Sequence, residues 1–187
     1  MDTVPTDPTA TTPDPLPYWP EAAPHEILPG LWQGGTDEEA EVGRPRPADH
    51  HDALYGRATR FDTVVTLYAE AQPAPWGVEE LRYGFPDADL TPAFAARVLD
   101  LARHAHRRWT AGARVLVRCQ AGVNRSGLVT ALVLMLDGRT ADEAIALIRA
   151  RRAPAALCNE HFERWLREEA AGAIGADSGE GGTALAA

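Results

Sequence analysis

Apolar positions along the middle of the chain switch repeatedly between two spacings, and the switching predicts alternating strands and helices. Thr63-Val64-Val65-Thr66-Leu67-Tyr68 is short and β-branched, with Pro73 and Pro75 beyond it, and reads as a buried strand. Leu81 to Phe85 is the next strand candidate, stopped by Pro86. From Pro92 to Trp109 the positions Phe94, Val98, Leu101 and Ala105 recur at helical spacing, with Thr91 as N-cap and Pro92 at the first helical position. After a turn at Gly112, Arg114-Val115-Leu116-Val117-Arg118 is another strand, and a helix follows from Ser126 to Leu136, ending near Gly138. Thr140 and Glu143 form a capping box for a helix reaching about Arg151. A last helix covers roughly Asn159 to Ala170. This alternation predicts a single α/β domain with a central, mostly parallel sheet and helices on both faces.

The ends read differently. Residues 1–24 are rich in Pro and Thr and are expected to be an unstructured tail, and 171–187, small and Gly-rich, a second one. The folded domain is then 25–170. Within it, the charged stretch from Asp37 to Asp52 reads as a surface loop leading into a short helix at Ala53 to Thr59.

Composition narrows the class of function. A chain of 187 residues, 45% hydrophobic and 24% charged, suits one globular domain. Its net charge of −9 argues against a nucleic-acid partner, which would have to be held by neutralising phosphates. A small phosphorylated substrate stays open, because a local pocket can be positive on an acidic protein. The longest apolar run, Leu128 to Leu136, is too short to cross a bilayer, so no membrane partner is expected. The N-terminal residues lack the basic and apolar regions of a secretion signal, so the expected location is the cytoplasm, with both cysteines reduced.

The chemistry concentrates between the strand at 114–118 and the helix from Ser126, in Cys119-Gln120-Ala121-Gly122-Val123-Asn124-Arg125-Ser126-Gly127. A tight loop entering a helix N-terminus aims several backbone N–H groups at one point, where the helix dipole also favours an anion. Gln120, Ala121, Gly122, Val123, Asn124 and Arg125 are therefore the candidate phosphate-binding residues. A cysteine at the mouth of such a nest is held as thiolate and becomes a nucleophile. Arg125, at the far end of the loop, can grip two phosphate oxygens in a bidentate fork that lysine could not copy. Gly122 permits the turn, and Ser126 can donate to the sulfur when it leaves. The competing structural reading is a buried cysteine at a strand end and an arginine on a surface helix. The strand before the loop, the helix after it, the glycine and the serine all favour the catalytic reading.

Cys119 to Gly127 resembles the signature loop of the dual-specificity branch of the protein tyrosine phosphatases, roughly His-Cys-x-Ala-Gly-x-x-Arg-Ser. The resemblance extends from about Ile27 to Leu166: Ile27 to Gly35 is similar to the opening segment of that fold, and Asn159 to Leu166 to its closing helix. It implies a two-step reaction in which the thiolate forms a phosphocysteine and water releases phosphate, without metal or other cofactor. Two positions depart from the pattern. Arg118 stands where the family has a histidine that orders the loop, and Asn124 replaces a smaller residue.

The resemblance also implies a general acid about thirty residues before the cysteine, on a separate loop. Phe85-Pro86-Asp87-Ala88-Asp89-Leu90-Thr91-Pro92 lies there. Asp87 completes a Phe-Pro-Asp similar to the Trp-Pro-Asp of the wider family, and Asp89 has the Asp-x-x-Pro spacing of some compact members. Asp87 is the preferred of the two. Both could instead be turn and cap formers ahead of Pro92.

Other chemistry-bearing residues have plainer readings. Cys158 is expected to pack in the core, and Arg149, Arg151 and Arg152 to offset a helix dipole. His50 and His51, beside Asp49 and Asp52, fit no common metal spacing. Trp76 lies on a loop expected to face the pocket. The chain is thus expected to be a monomeric phosphomonoester hydrolase acting on a phosphorylated protein or a small phosphomonoester. The alternatives are a catalytically weak phosphate-binding module and a phosphatase of lipid, RNA 5′ ends or small metabolites.

Overall fold

The computed structural model describes residues 23–36 and 61–176. Five strands form one sheet: β1 (His25–Leu28), β2 (Leu31–Gly34), β3 (Thr63–Thr66), β4 (Glu79–Arg82) and β5 (Val115–Arg118). Their order is β1-β2-β5-β3-β4, antiparallel between β1 and β2 and parallel elsewhere. β5 is central, with every residue of Val115–Arg118 buried, so its C-terminal end opens onto the middle of the sheet edge. Open parallel sheets bind ligands at that edge.

β4 begins two residues before the expected Leu81 and ends at Arg82. The side chains explain the shift: Glu79 accepts from the Thr63 hydroxyl at 2.9 Å and Glu80 from that of Thr66 at 2.6 Å. These charged residues sit on a strand because β3 offers them donors, which a hydrophobicity pattern does not register.

The helices are α1 (Pro92–Thr110), α2 (Arg125–Leu136), α3 (Ala141–Arg151), α4 (Glu160–Glu168) and α5 (Ala170–Ala176). Thr91 caps α1 through a bond from the Phe94 N–H, Thr140 and Glu143 close their capping box, and Asn159 caps α4. α2 is buried on all sides from Ser126 to Met135, the mark of a helix enclosed by its neighbours. It packs beside α1, α3 and α4 in one large core with Val65, Val115 and Val117. Val64 and Leu116, pointing to the opposite sheet face, join a smaller cluster with Phe61. The helix expected at 53–59, the loop at 37–52 with its His50/His51 pair, and the first 22 residues of the tail expected at 1–24 lie outside the described residues. At the other end α5 continues the fold to Ala176, past the Ala171 where the sequence suggests a tail; 177–187 lie outside the described residues.

Candidate active site

The signature loop leaves β5 at its C-terminal end and enters α2 at Arg125, as its sequence predicts. Cys119 is 2% exposed and its Sγ lies 3.3 Å from the Ser126 Oγ. As thiol it donates to the hydroxyl; as thiolate it accepts from it.

The loop is pinned from outside by the segment after β2. The Cys119 N–H donates to the Gly34 carbonyl at 3.3 Å, and the Thr36 N–H to the Gln120 carbonyl at 2.7 Å. Gly122 makes this approach possible. Its φ is +71°, and a Cβ there would sit 2.4 Å from the Gly34 carbonyl carbon. Two buried side chains then hold the Gly122 carbonyl: the Gln33 amide at 3.0 Å and the Arg152 Nε at 3.0 Å. Leu157, buried and in the left-handed region at φ +58°, donates its N–H to the Val123 carbonyl at 3.4 Å. That conformation costs a leucine about 1–3 kcal/mol, which packing must offset.

Arg152 is a site residue that sequence reading places elsewhere. It is not a solvated end of the basic run: it is 4% exposed and donates to the carbonyls of Gly122, of Ala121 at 3.2 Å and of Ala23 at 2.7 Å. It also meets His25 Nδ1. Burial lowers its pKa, and its electrostatic interaction with Cys119 opposes that shift. Arg149 of the same run binds the carbonyls of Ala156 and Leu157 and the Glu163 carboxylate. Helix periodicity does not register these roles, because the carbonyls bound lie outside the helix.

Arg118 points away from the sulfur. Its guanidinium is 3% exposed and binds the Thr66 hydroxyl at 2.9 Å, the Gln72 carbonyl at 2.6 Å and Glu80 at 3.1 Å. Burial lowers its pKa, with Glu80 opposing. For Glu80, burial raises the pKa, but bonds from Thr66, the Ala74 N–H and Arg118 outweigh it and the value falls below the ordinary range. The cation at 118 therefore ties β5 to β3, β4 and the loop after β3.

Arg125 donates through Nη1 to the carbonyls of Leu67 at 3.3 Å and Phe85 at 3.2 Å, and lies over the Tyr68 ring at 5.5 Å. Its buried Nε has no hydrogen-bond partner. A guanidinium fixed on one side and unsatisfied at Nε suits an oxyanion arriving above the loop.

The acid loop is rooted by Phe85, buried beside Tyr83, Phe94 and Phe162. The two aspartates then separate. The Asp87 carboxylate accepts from the Asn124 amide at 3.0 Å and the Asn159 amide at 2.7 Å. Asp89, its side chain 79% exposed, pairs with His161 at 2.9 Å. With Ala88 these residues line an open cleft of about 470 Å³. Cys158 is exposed rather than packed in the core, 3.5 Å from the Asn124 Oδ1. Trp76, 94% exposed, precedes β4 next to the start of β3, and so lies at the end of the sheet opposite the signature loop rather than facing the pocket. Among the described residues no group of three His, Cys, Asp or Glu side chains is placed to hold a metal, and no helix is long and apolar enough to cross a membrane.

A parallel sheet delivering a buried cysteine into a Cys-x5-Arg loop at a helix N-terminus defines the class of phosphatase-like folds with a cysteine signature loop. Known proteins narrow this. The family described as dual specificity phosphatase, catalytic domain, matches residues 93–171. Over 151 residues the chain is 34% identical to dual specificity protein phosphatase 12 of Mus musculus and 32% identical to that of Rattus norvegicus. These alignments take 76% of this chain and 40% of each relative, so the chain spans about two-fifths of the length of those proteins. Among solved structures, a mouse putative dual specificity phosphatase complexed with zinc tungstate superposes with a TM-score of 0.64 at 23% identity, covering 91% of this chain and 96% of that one. Human DUSP28 gives 0.60 at 24% identity, covering 88% and 99%. These two likenesses concern the fold. The chain is thus similar in sequence to dual specificity phosphatases and shares their fold.

Proposed function

We propose that this protein hydrolyses phosphomonoesters through a phosphocysteine on Cys119. The observation that carries the reading is the pairing of a buried sulfur, 3.3 Å from the Ser126 hydroxyl, with an Arg125 Nε left unsatisfied beside the same loop. The N–H groups of Gln120 to Arg125 and the Arg125 fork hold the phosphoryl oxygens. The Cys119 thiolate attacks phosphorus, the P–O bond to the leaving group breaks, and Asp87 gives that oxygen its proton. Water then attacks the phosphocysteine, Asp87 takes a proton from it, and the sulfur leaves as thiolate with Ser126 donating to it. The products are an alcohol or phenol and inorganic phosphate, and no metal enters the balance. Contact with the signature loop through Asn124 favours Asp87 over the solvent-facing Asp89.

The substrate is a phosphorylated protein side chain or a small phosphomonoester, and the thiolate chemistry suits a reducing compartment, the cytoplasm. Rapid acid quench of the enzyme during turnover of 4-nitrophenyl phosphate, followed by peptide mass analysis, tests the proposal. One phosphoryl group on Cys119 is expected; turnover with the label on another residue, or with none on Cys119, would contradict it.

A further inference from the structure

The variable position before the signature arginine carries a larger polar side chain than its neighbours in the loop, and its contacts are specific. Asn is a preferred N-cap residue, and Asn124 occupies the N-cap position of α2. Yet it makes no capping bond: its backbone is helical, at φ −90° and ψ −63°. The first N–H groups of α2 are thus left uncovered on the side where an anion binds, and the amide is turned to another task.

Its orientation is fixed by what surrounds it. Oδ1 accepts from the Asn159 backbone N–H at 3.1 Å, so Nδ2 faces Asp87, 3.0 Å away. Asn159 is oriented in the same manner. Its Oδ1 caps α4, accepting from the N–H groups of His161 at 3.0 Å and Phe162 at 3.4 Å, so its Nδ2 meets the other Asp87 oxygen at 2.7 Å. Signature loop, helix cap and acid loop therefore converge on one carboxyl.

We propose that Asn124 is a positioning residue that holds Asp87 over the anion site, with Asn159 as the second arm of the clamp. This rests on Asp87 as proton donor. The acid loop is exposed from Pro86 to Asp89, and nothing in its own sequence fixes the aspartate. Two amide donors, each to a separate oxygen, restrict both its distance and its rotation. Because Asn124 belongs to the loop that binds phosphate, the carboxyl is registered to the leaving-group oxygen rather than to the scaffold at large.

The test compares phenyl phosphate, a poor leaving group, with 4-nitrophenyl phosphate, a good one. Asn124→Ser is too short to reach Asp87, and Asn159→Ser loses the clamp but keeps a capping hydroxyl. Each should lower kcat roughly ten-fold on phenyl phosphate and less than about two-fold on 4-nitrophenyl phosphate. Inhibition by inorganic phosphate should be unchanged in Asn159→Ser, and Asn124→Ser should cost nothing further in an Asp87→Asn background. Equal losses on both esters, or a multiplied loss in the double variant, would overturn the clamp. If Asp87→Asn is selective for the poor leaving group and Asn124→Ser is not, only the positioning role falls. If Asp87→Asn shows no such selectivity, the donor assignment falls and the clamp with it.

Discussion

Around Cys119 the backbone of the signature loop is gripped from several chain segments, whereas the loop carrying Asp87 and Asp89 lies in solvent and is held at a few points. On the first side, Gly34, Thr36, Gln33, Arg152 and Leu157 each grip a backbone atom of the signature loop. On the second, Phe85 anchors the root, and beyond it Asp87 depends on two side-chain amides. The difference teaches a division of labour. A nucleophile and an anion nest must be pre-organised before substrate arrives, since their task is geometric. A proton donor must release and regain a proton and admit a leaving group, which suits a surface loop with a few polar ties.

The comparison breaks first at Gly122. Replacing it with Ala forces a side chain into a left-handed turn 2.4 Å from the Gly34 backbone, so the loop must move. Turnover of every ester should fall by about 10²-fold or more, together with weaker phosphate inhibition and a lower melting temperature. Steady-state kinetics on esters with good and poor leaving groups, alongside thermal melting, check this. A loss confined to poor leaving groups would mean the two sides are not separate.

The acid side should respond selectively. Asp87→Asn is expected to slow phenyl phosphate by about 10²-fold and 4-nitrophenyl phosphate far less, while Asp89→Asn, which loses only an exposed pair with His161, changes either by less than about three-fold. A reversal of the two aspartates would move the donor to Asp89 and leave the braced side untouched.

The smallest effect concerns stability. The folded pKa of Glu80 lies below its ordinary value, because bonds from Thr66, Ala74 and Arg118 outweigh the opposing effect of burial. A depressed carboxylate contributes its full stability above the unfolded value, about 4.3, and loses it as pH falls through the lower folded value. Urea midpoints should therefore decline below about pH 4, and the decline should be shallower in Glu80→Gln, whose neutral-pH stability is lower because Arg118 loses its buried partner. An unchanged slope would show that the Arg118–Glu80 tie carries no stability.

Much of this was legible in the sequence for a physical reason. Cys119, the proposed anion nest and Arg125 lie within nine consecutive residues, and local chain geometry alone brings them together. The caps at Thr91 and Thr140 are equally local, and each forms. What sequence reading missed depends on distant partners. β4 starts at Glu79 because the Thr63 and Thr66 hydroxyls receive its carboxylates. Arg152 looks like surface charge until the chain folds Gly122 and Ala23 against it. Arg118 looks like a cation for the cysteine until Glu80, 38 residues earlier, is placed beside it on the other sheet face. Cys158 looks like core until α4 begins at the surface beside Asn124.

The central claim is that turnover runs through the Cys119 sulfur without metal. Hydrolysis of 4-nitrophenyl phosphate by the full chain and by Cys119→Ser, both reduced and with EDTA present, tests it directly. The account predicts EDTA-insensitive turnover that vanishes in the variant while inorganic phosphate still binds. Turnover surviving in Cys119→Ser, or its absence from the folded, reduced wild-type chain, would contradict it.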